Sequence, residues 1–363
     1  MGRRLAAAVI TILIIVSLAA CAGINHLIEE QNSAPGSAEE ESSLEKGGAG
    51  STLALPELQI DENSPLYAEN ETGRKFRFGV IIEEMSPFVS QCADAAELFA
   101  EQHDDVTVQV FVCDNDVERE LTAVETCIAD GFDAIIMKPC DSVGCAPAVR
   151  YCREAGIPIV ALNNNFSGEK ADTYVGSDHT YSGILAARSM ADALNGKGRI
   201  VILTGPMDQQ AAMERVRGIH QVLDAFPEIE IADEENGDWE IEEALNLTTS
   251  WISSGESFDG IIACASQMAA GAGLALKADG RSPGEIPIAS IDAMEMSLEL
   301  FREGWVTSDV LQDSRGQGYS AAAAAYALVN SKEISSYINV PYVDVRKEEV
   351  DAYLSWYDES EIS

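Results

Sequence analysis

Residues 131–162 read GFDAIIMKPCDSVGCAPAVRYCREAGIPIVAL. Two short apolar runs, 134–137 and 158–162, flank a segment over 143–155 whose apolar residues recur at helical spacing. Each run is bounded by turn residues and shows no polar alternation, as expected of a strand buried on both faces of a parallel sheet. A helix between two such strands is the crossover that parallel pairing requires. The pattern extends both ways. Upstream lie strands over 76–82 and 106–112 and helices over 88–102 and 117–130. Downstream come a short extended link at 173–175, a helix over 181–194 broken by Asn195-Gly196-Lys197-Gly198, and strands over 199–203, 229–232, 260–263, 288–291 and 306–311. Helices over 209–226, 240–254, 268–278 and 316–329 alternate with them. Two successive α/β units of similar size predict an α/β fold of two doubly wound parallel-sheet lobes.

The N-terminus indicates a compartment. Arg3 and Arg4 precede an apolar run over residues 5–20, which ends in Leu18-Ala19-Ala20-Cys21. That order predicts a secretory signal peptide over 1–20; the run is short for a membrane span of about 20 residues. Leu18-Ala19-Ala20-Cys21 resembles a bacterial lipobox, which implies cleavage before Cys21 and lipid on its sulfur. Acyl chains contribute about 0.8 kcal/mol per buried CH₂, so several of them hold a domain on a bilayer. Residues 32–50, rich in Ser, Gly, Ala and Glu, cannot bury enough surface to offset chain entropy. Residues 21–73 are therefore expected to be a lipidated cysteine and a flexible acidic tether on the extracytoplasmic face of the cell membrane.

The chain carries 61 acidic and 23 basic residues, a formal net charge of −38. Nucleic-acid binding needs clustered Lys and Arg, and anionic lipid would repel such a domain. Seven cysteines follow Cys21 without a Cys-x-x-Cys pair or matching histidines, so no metal site is assigned and buried thiols are expected. Cys145 and Cys152, seven apart, would share one helix face. No nucleophile elbow, His-Glu-x-x-His or phosphate loop appears, which speaks against an enzyme and against a cofactor.

In open α/β sheets ligands bind beyond the carboxyl ends of the strands. The expected strand ends carry Met85-Ser86-Pro87-Phe88, Asp114-Asn115-Asp116, Lys138-Pro139-Cys140-Asp141 and Asn163-Asn164-Asn165 in the first half. In the second they carry Gly205-Pro206, Asn236-Gly237-Asp238-Trp239, Ser266-Gln267, Asp292 and Gln312-Asp313. Amides and carboxylates pair with vicinal hydroxyls, Arg215 offers a fixed fork of donors, and two aromatic rings can cover the CH face of a sugar.

With those residues in view, the chain resembles the type I periplasmic binding proteins, in particular the ribose-binding-like, sugar-binding branch. Ser86-Pro87-Phe88 is similar to the family's Asn-Pro-Phe turn. Gly131 to Ile136, Lys138-Pro139-Cys140-Asp141-Ser142, Ala155 to Val160 and Val175-Gly176-Ser177-Asp178 follow in the family's order. The resemblance implies two lobes joined by a three-crossing hinge near Ser177, Gln312 and Asn339. An N-terminal lobe of 74–176 plus 313–339 and a C-terminal lobe of 177–312 plus 340–363 are expected.

It also implies ligand contacts. Phe88 and Trp239 would stack on the solute, and Arg215, Asp292 and Gln312 would bond it. Asn163 and Asn164 stand where an Asp-Arg pair is usual, and Ala265-Ser266 where Asn-Asp is usual. Met85 and Ser266 complete the candidate set; no residue is catalytic. The implied function is capture of a small sugar or polyol by hinge closure and delivery to an ABC permease and its ATPase, by a monomer. The same chemistry also serves a sensor presenting its solute to a membrane receptor kinase or chemoreceptor.

Overall fold

The computed structural model describes residue 60 and residues 62–360 apart from 256. The expected signal sequence, Cys21 and the first part of the tether lie outside the described residues. The last part of that tether, expected to be loose, is held against the body. Leu66 is buried, and Asn70 Nδ2 donates to Asp105 Oδ2 at 2.5 Å.

In chain order the first half contains β1 (Phe76–Ile82), α1 (Pro87–Glu101), β2 (Val106–Val112), α2 (Val117–Ala129), β3 (Ala134–Met137), α3 (Pro147–Ala155), β4 (Ile159–Leu162) and β5 (Thr173–Gly176). The second half contains α4 (His179–Ala193), β6 (Lys197–Thr204), α5 (Gln210–Leu223), β7 (Glu228–Asn236), α6 (Ile241–Ser254), β8 (Gly260–Ala263), α7 (Ser266–Ala278), β9 (Ile288–Asp292), α8 (Glu295–Glu303) and β10 (Ser308–Leu311). The chain ends with α9 (Ser314–Val329), β11 (Tyr337–Asn339), β12 (Val343–Val345) and α10 (Val350–Ser360).

Two six-stranded sheets result, ordered β11-β5-β4-β3-β1-β2 and β12-β10-β9-β8-β6-β7. Every pairing is parallel except that of β12 with β10. The central strands β3, β4 and β8 are buried at every position, so helices must cover both faces. The chain passes between sheets after β5, after β10 and after β11, and these three crossings form the hinge.

The elements differ from the sequence reading at the edges. β7 runs through Asp233, Glu234 and Glu235, too polar to read as a strand, because it is an edge strand with one pairing neighbour. β5 is a full strand rather than a link, and α8, β11, β12 and α10 were not anticipated. α3 begins at Pro147, not at 143. Asp141 Oδ1 instead caps a turn, accepting from the backbone N–H of Val143 at 2.7 Å and of Gly144 at 3.0 Å. Cys145 therefore precedes the helix and does not share a helical face with Cys152. All seven cysteines of the described residues are buried free thiols.

α4 and α5 pack side by side because Gly183 presents no side chain. A Cβ there would lie 2.1 Å from the carbonyl oxygen of Arg215. Gly183→Ala must push the helices apart, so a loss of about 1–3 kcal/mol is expected. Urea unfolding checks this, and unchanged stability would contradict the packing account.

Candidate functional site

Backbone strain collects where strands end. Asn163 after β4 has φ 60°, Asp238 and Trp239 after β7 have φ 53° and 59°, and Asp292 and Ala293 at the end of β9 have φ 94° and 48°. Left-handed conformations cost free energy in residues other than glycine and persist only where surrounding bonds enforce them. At β9 the enforcement is explicit. The Ala293 N–H donates to Asp309 Oδ1 at 3.1 Å, its carbonyl accepts from Tyr357 Oη at 3.0 Å, and the Met294 N–H donates to Ser266 Oγ at 2.9 Å. Burial pushes the Asp309 carboxyl up to about 7.

These turns hold a narrow crevice with about 50 Å³ of free space between its walls. Glu83, Glu84, Ser86, Phe88, Lys138 and Asn163 line it from the first lobe. Gln209, Arg215, Trp239, Gln267 and Asp292 face them from the second, and Gln312 stands at a crossing.

Arg215 organises the second lobe's wall. It is buried, with one NH₂ group donating to Asp292 Oδ1 at 2.6 Å, Gln312 Oε1 at 2.7 Å and Tyr342 Oη at 3.0 Å. Its other NH₂ group donates to the Cys264 carbonyl. Burial opposes the charge, but Asp292 and Tyr342 outweigh it and raise the guanidinium pKa. The charge is therefore permanent and fixed. The Trp239 ring lies 5.7 Å from the guanidinium carbon, and its Nε1 donates to Gln209 Oε1 at 2.9 Å. That indole rests on Gly205, where a Cβ would come within 2.0 Å of the ring.

The first lobe contributes a buried ion pair, Lys138 with Glu83. Burial raises the Glu83 pKa, with Lys138 pulling the other way. Of the lining groups, Glu83 Oε2, Gln267 Oε1, Gln312 Nε2 and Arg215 Nε are buried without a hydrogen-bond partner among the described residues. Two acceptors and two donors are thus left for a solute.

A hydrogen-bonded chain crosses the hinge. Tyr342 Oη, held by Arg215, lies 2.8 Å from His179 Nδ1, and His179 Nε2 lies 2.9 Å from the Asn163 carbonyl oxygen. Asn163 Nδ2 donates to Gln317 Oε1 at 3.1 Å, and Gln317 Nε2 donates to Ser177 Oγ at 2.8 Å. Burial first, then the Arg215 charge, lowers the His179 pKa to about 3.

Of the candidate residues, Phe88, Asn163, Arg215, Trp239, Asp292 and Gln312 line the crevice. Three do not. Met85 points outward at 56% exposure. Asn164 is buried behind the wall, where its Nδ2 donates to the Pro139 carbonyl at 3.3 Å and ties two turns together. The Ser266 hydroxyl is taken up by the backbone around Asp292, and Ala265 and Gln267 face the crevice instead. The sequence reading missed Glu83, Glu84, Lys138, Gln209 and Gln267. Lys138 and Gln267 did stand in the inventory of strand ends, so the position was a signal.

Fold and site together define a two-lobed α/β protein that encloses a small solute at facing strand ends. The periplasmic binding protein domain model matches residues 78–333, and the chain belongs to that family. It is 32% identical over 261 residues to the xylitol-binding protein of Mycolicibacterium smegmatis, covering 72% of this chain and 74% of that protein. It is 35% identical over 257 residues to a candidate rhizopine-binding protein of Rhizobium meliloti, covering 69% and 83%. The solved structure of an ABC transporter solute-binding protein from Bacillus halodurans, with bound myo-inositol, superposes with TM-score 0.75. It is 30% identical and covers 79% of this chain and 99% of that one. These relatives are binding proteins, and this chain is a binding protein rather than an enzyme.

Two predictions follow from the charges. Asp292→Ala strands the buried Arg215 charge and should cost about 3 kcal/mol or more, read by urea unfolding; a loss below about 1 kcal/mol would contradict the role given to the pair. His179 is neutral when folded, whereas an unfolded histidine takes up its proton near pH ~6.5. Its contribution is full above that pH and declines as pH falls toward the folded value of about 3. The stability difference between the protein and His179→Gln should therefore shrink between about pH 7.5 and about pH 4.5. A constant difference would show that the ring is not held neutral.

Proposed function

We propose that this chain is an extracytoplasmic solute-binding lipoprotein that captures a small sugar or polyol by hinge closure and delivers it to an ABC importer. The observation that carries the reading is the crevice itself. Carboxylate, guanidinium and amide groups from both lobes converge there beside Phe88 and Trp239. A hydroxyl both donates and accepts, so one polyol can satisfy Glu83 Oε2, Gln267 Oε1 and Gln312 Nε2 together. The bound solutes of the relatives, xylitol and myo-inositol, are of this kind. The aromatic rings would cover the CH face of the solute. Contacts from both lobes are completed only when the lobes are together, so the solute selects the closed state by differential affinity.

Anchoring through Cys21 and export rest on the N-terminal sequence alone. They would put the crevice where solute arrives and where a permease can meet the closed form.

Calorimetric titration with myo-inositol, xylitol, D-ribose and, as a control, L-leucine tests the proposal. One-to-one binding of at least one polyhydroxyl compound and none of leucine is expected. Trp239→Ala should weaken that binding by about 1–3 kcal/mol, roughly 5- to 150-fold. Binding of leucine alone, or an unchanged affinity in the variant, would refute it.

A further inference from the structure

A second cluster of polar groups lies in the first lobe, on the other side of the β3 turn from the crevice. Glu120 on α2 and Cys140 and Cys145 between β3 and α3 bring a carboxylate oxygen and two sulfurs within 4.8 Å of one another, all buried. The two Sγ atoms are 3.9 Å apart, and Cys145 Sγ lies 2.8 Å from Glu120 Oε2. The Cys140 N–H reaches both Glu120 oxygens at 3.2 Å. Around them the core is apolar, with Val124, Phe132 and Val149 among its members. Glu120 is fully buried. Lys138, the cation at the near end of the same turn, is committed to Glu83.

We propose that Glu120, Cys140 and Cys145 form a binding site for one divalent transition-metal ion of the zinc class, separate from the solute crevice. The sulfur spacing already fits. Bonds of about 2.3 Å to a tetrahedral ion place two thiolates about 3.8 Å apart. The carboxylate must withdraw from Cys145 by about 0.7 Å, from 2.8 Å to about 3.5 Å, to take a third position. Two thiolates and a carboxylate are a donor set for zinc-like ions rather than for calcium or magnesium, which take oxygen ligands. A cation would also satisfy a carboxylate whose burial is otherwise costly. Cys113, which follows β2 and belongs to the same core cluster, offers a further sulfur for the fourth position; water is the alternative ligand. On binding, the thiol protons leave to solvent and no oxidation occurs. The ion would staple α2 to the turn that begins at Lys138.

The test uses the reduced, chelator-stripped protein and Co²⁺ alone. One equivalent should survive desalting, with a thiolate-to-cobalt charge-transfer band in the near ultraviolet, and Co²⁺ should raise the melting temperature. Cys145→Ser and Glu120→Gln should each weaken retention at least tenfold, while Cys264→Ser, a buried thiol of the other lobe, should leave the band intact. Bound ion should also slow formation of a Cys140–Cys145 disulfide by added oxidised glutathione. Absence of the band in protein that circular dichroism shows to be folded would overturn the assignment. So would a band that persists in both variants, or a disulfide that forms equally fast with and without the ion.

Discussion

The site is built on the buried contact between Arg215 and Asp292. A guanidinium and a carboxylate withdrawn from water are costly unless each finds full compensation. That requirement fixes neighbours on several elements: Gln312 at one crossing, Tyr342 after another and the Cys264 carbonyl at the end of β8. It also explains why Asp292 tolerates a φ of 94°. The turn is gripped from behind by Asp309, Tyr357 and Ser266, so the carboxylate is aimed before any solute arrives. Such preorganisation reduces the ordering cost of binding.

From that pair the bonding runs on through the hinge. Tyr342 passes it to His179, and His179 to the Asn163 carbonyl, so the second lobe's binding wall is linked to the first lobe's by groups at the chain crossings. A neutral His179 suits this place. A charged ring would face Arg215 across Tyr342, where all three side chains are buried. The Glu83–Lys138 pair plays the corresponding part in the first lobe, bringing two charges to the crevice with little cost in net charge.

The sheet cores were legible in the sequence because burial on both faces forces uniformly apolar strands. β1, β3 and β8, buried at nearly every position, have the bounds that their apolar runs predict. Of β7, an edge strand, only 229–232 was legible, and β11 and β12, short pairings late in the chain, were not. The site was legible where chemistry and strand position coincide, as for Asp292, Arg215 and Trp239. It was illegible where two residues matter only as a pair. Nothing local marks Glu83 as the partner of Lys138, 55 positions away, or Glu120 as the neighbour of Cys145, 25 positions away. Asn164 and Ser266 show the converse. They stand at strand ends, yet the backbone claims their side chains first.

Hydrogen exchange with and without a saturating polyol tests most directly whether facing strand ends share one guest. The account predicts slowed exchange in the turns after β1 and β4 and, in the same sample, in those after β7 and β9. Slowing confined to one lobe, or no slowing at all in a sample that calorimetry shows to be saturated, would contradict it.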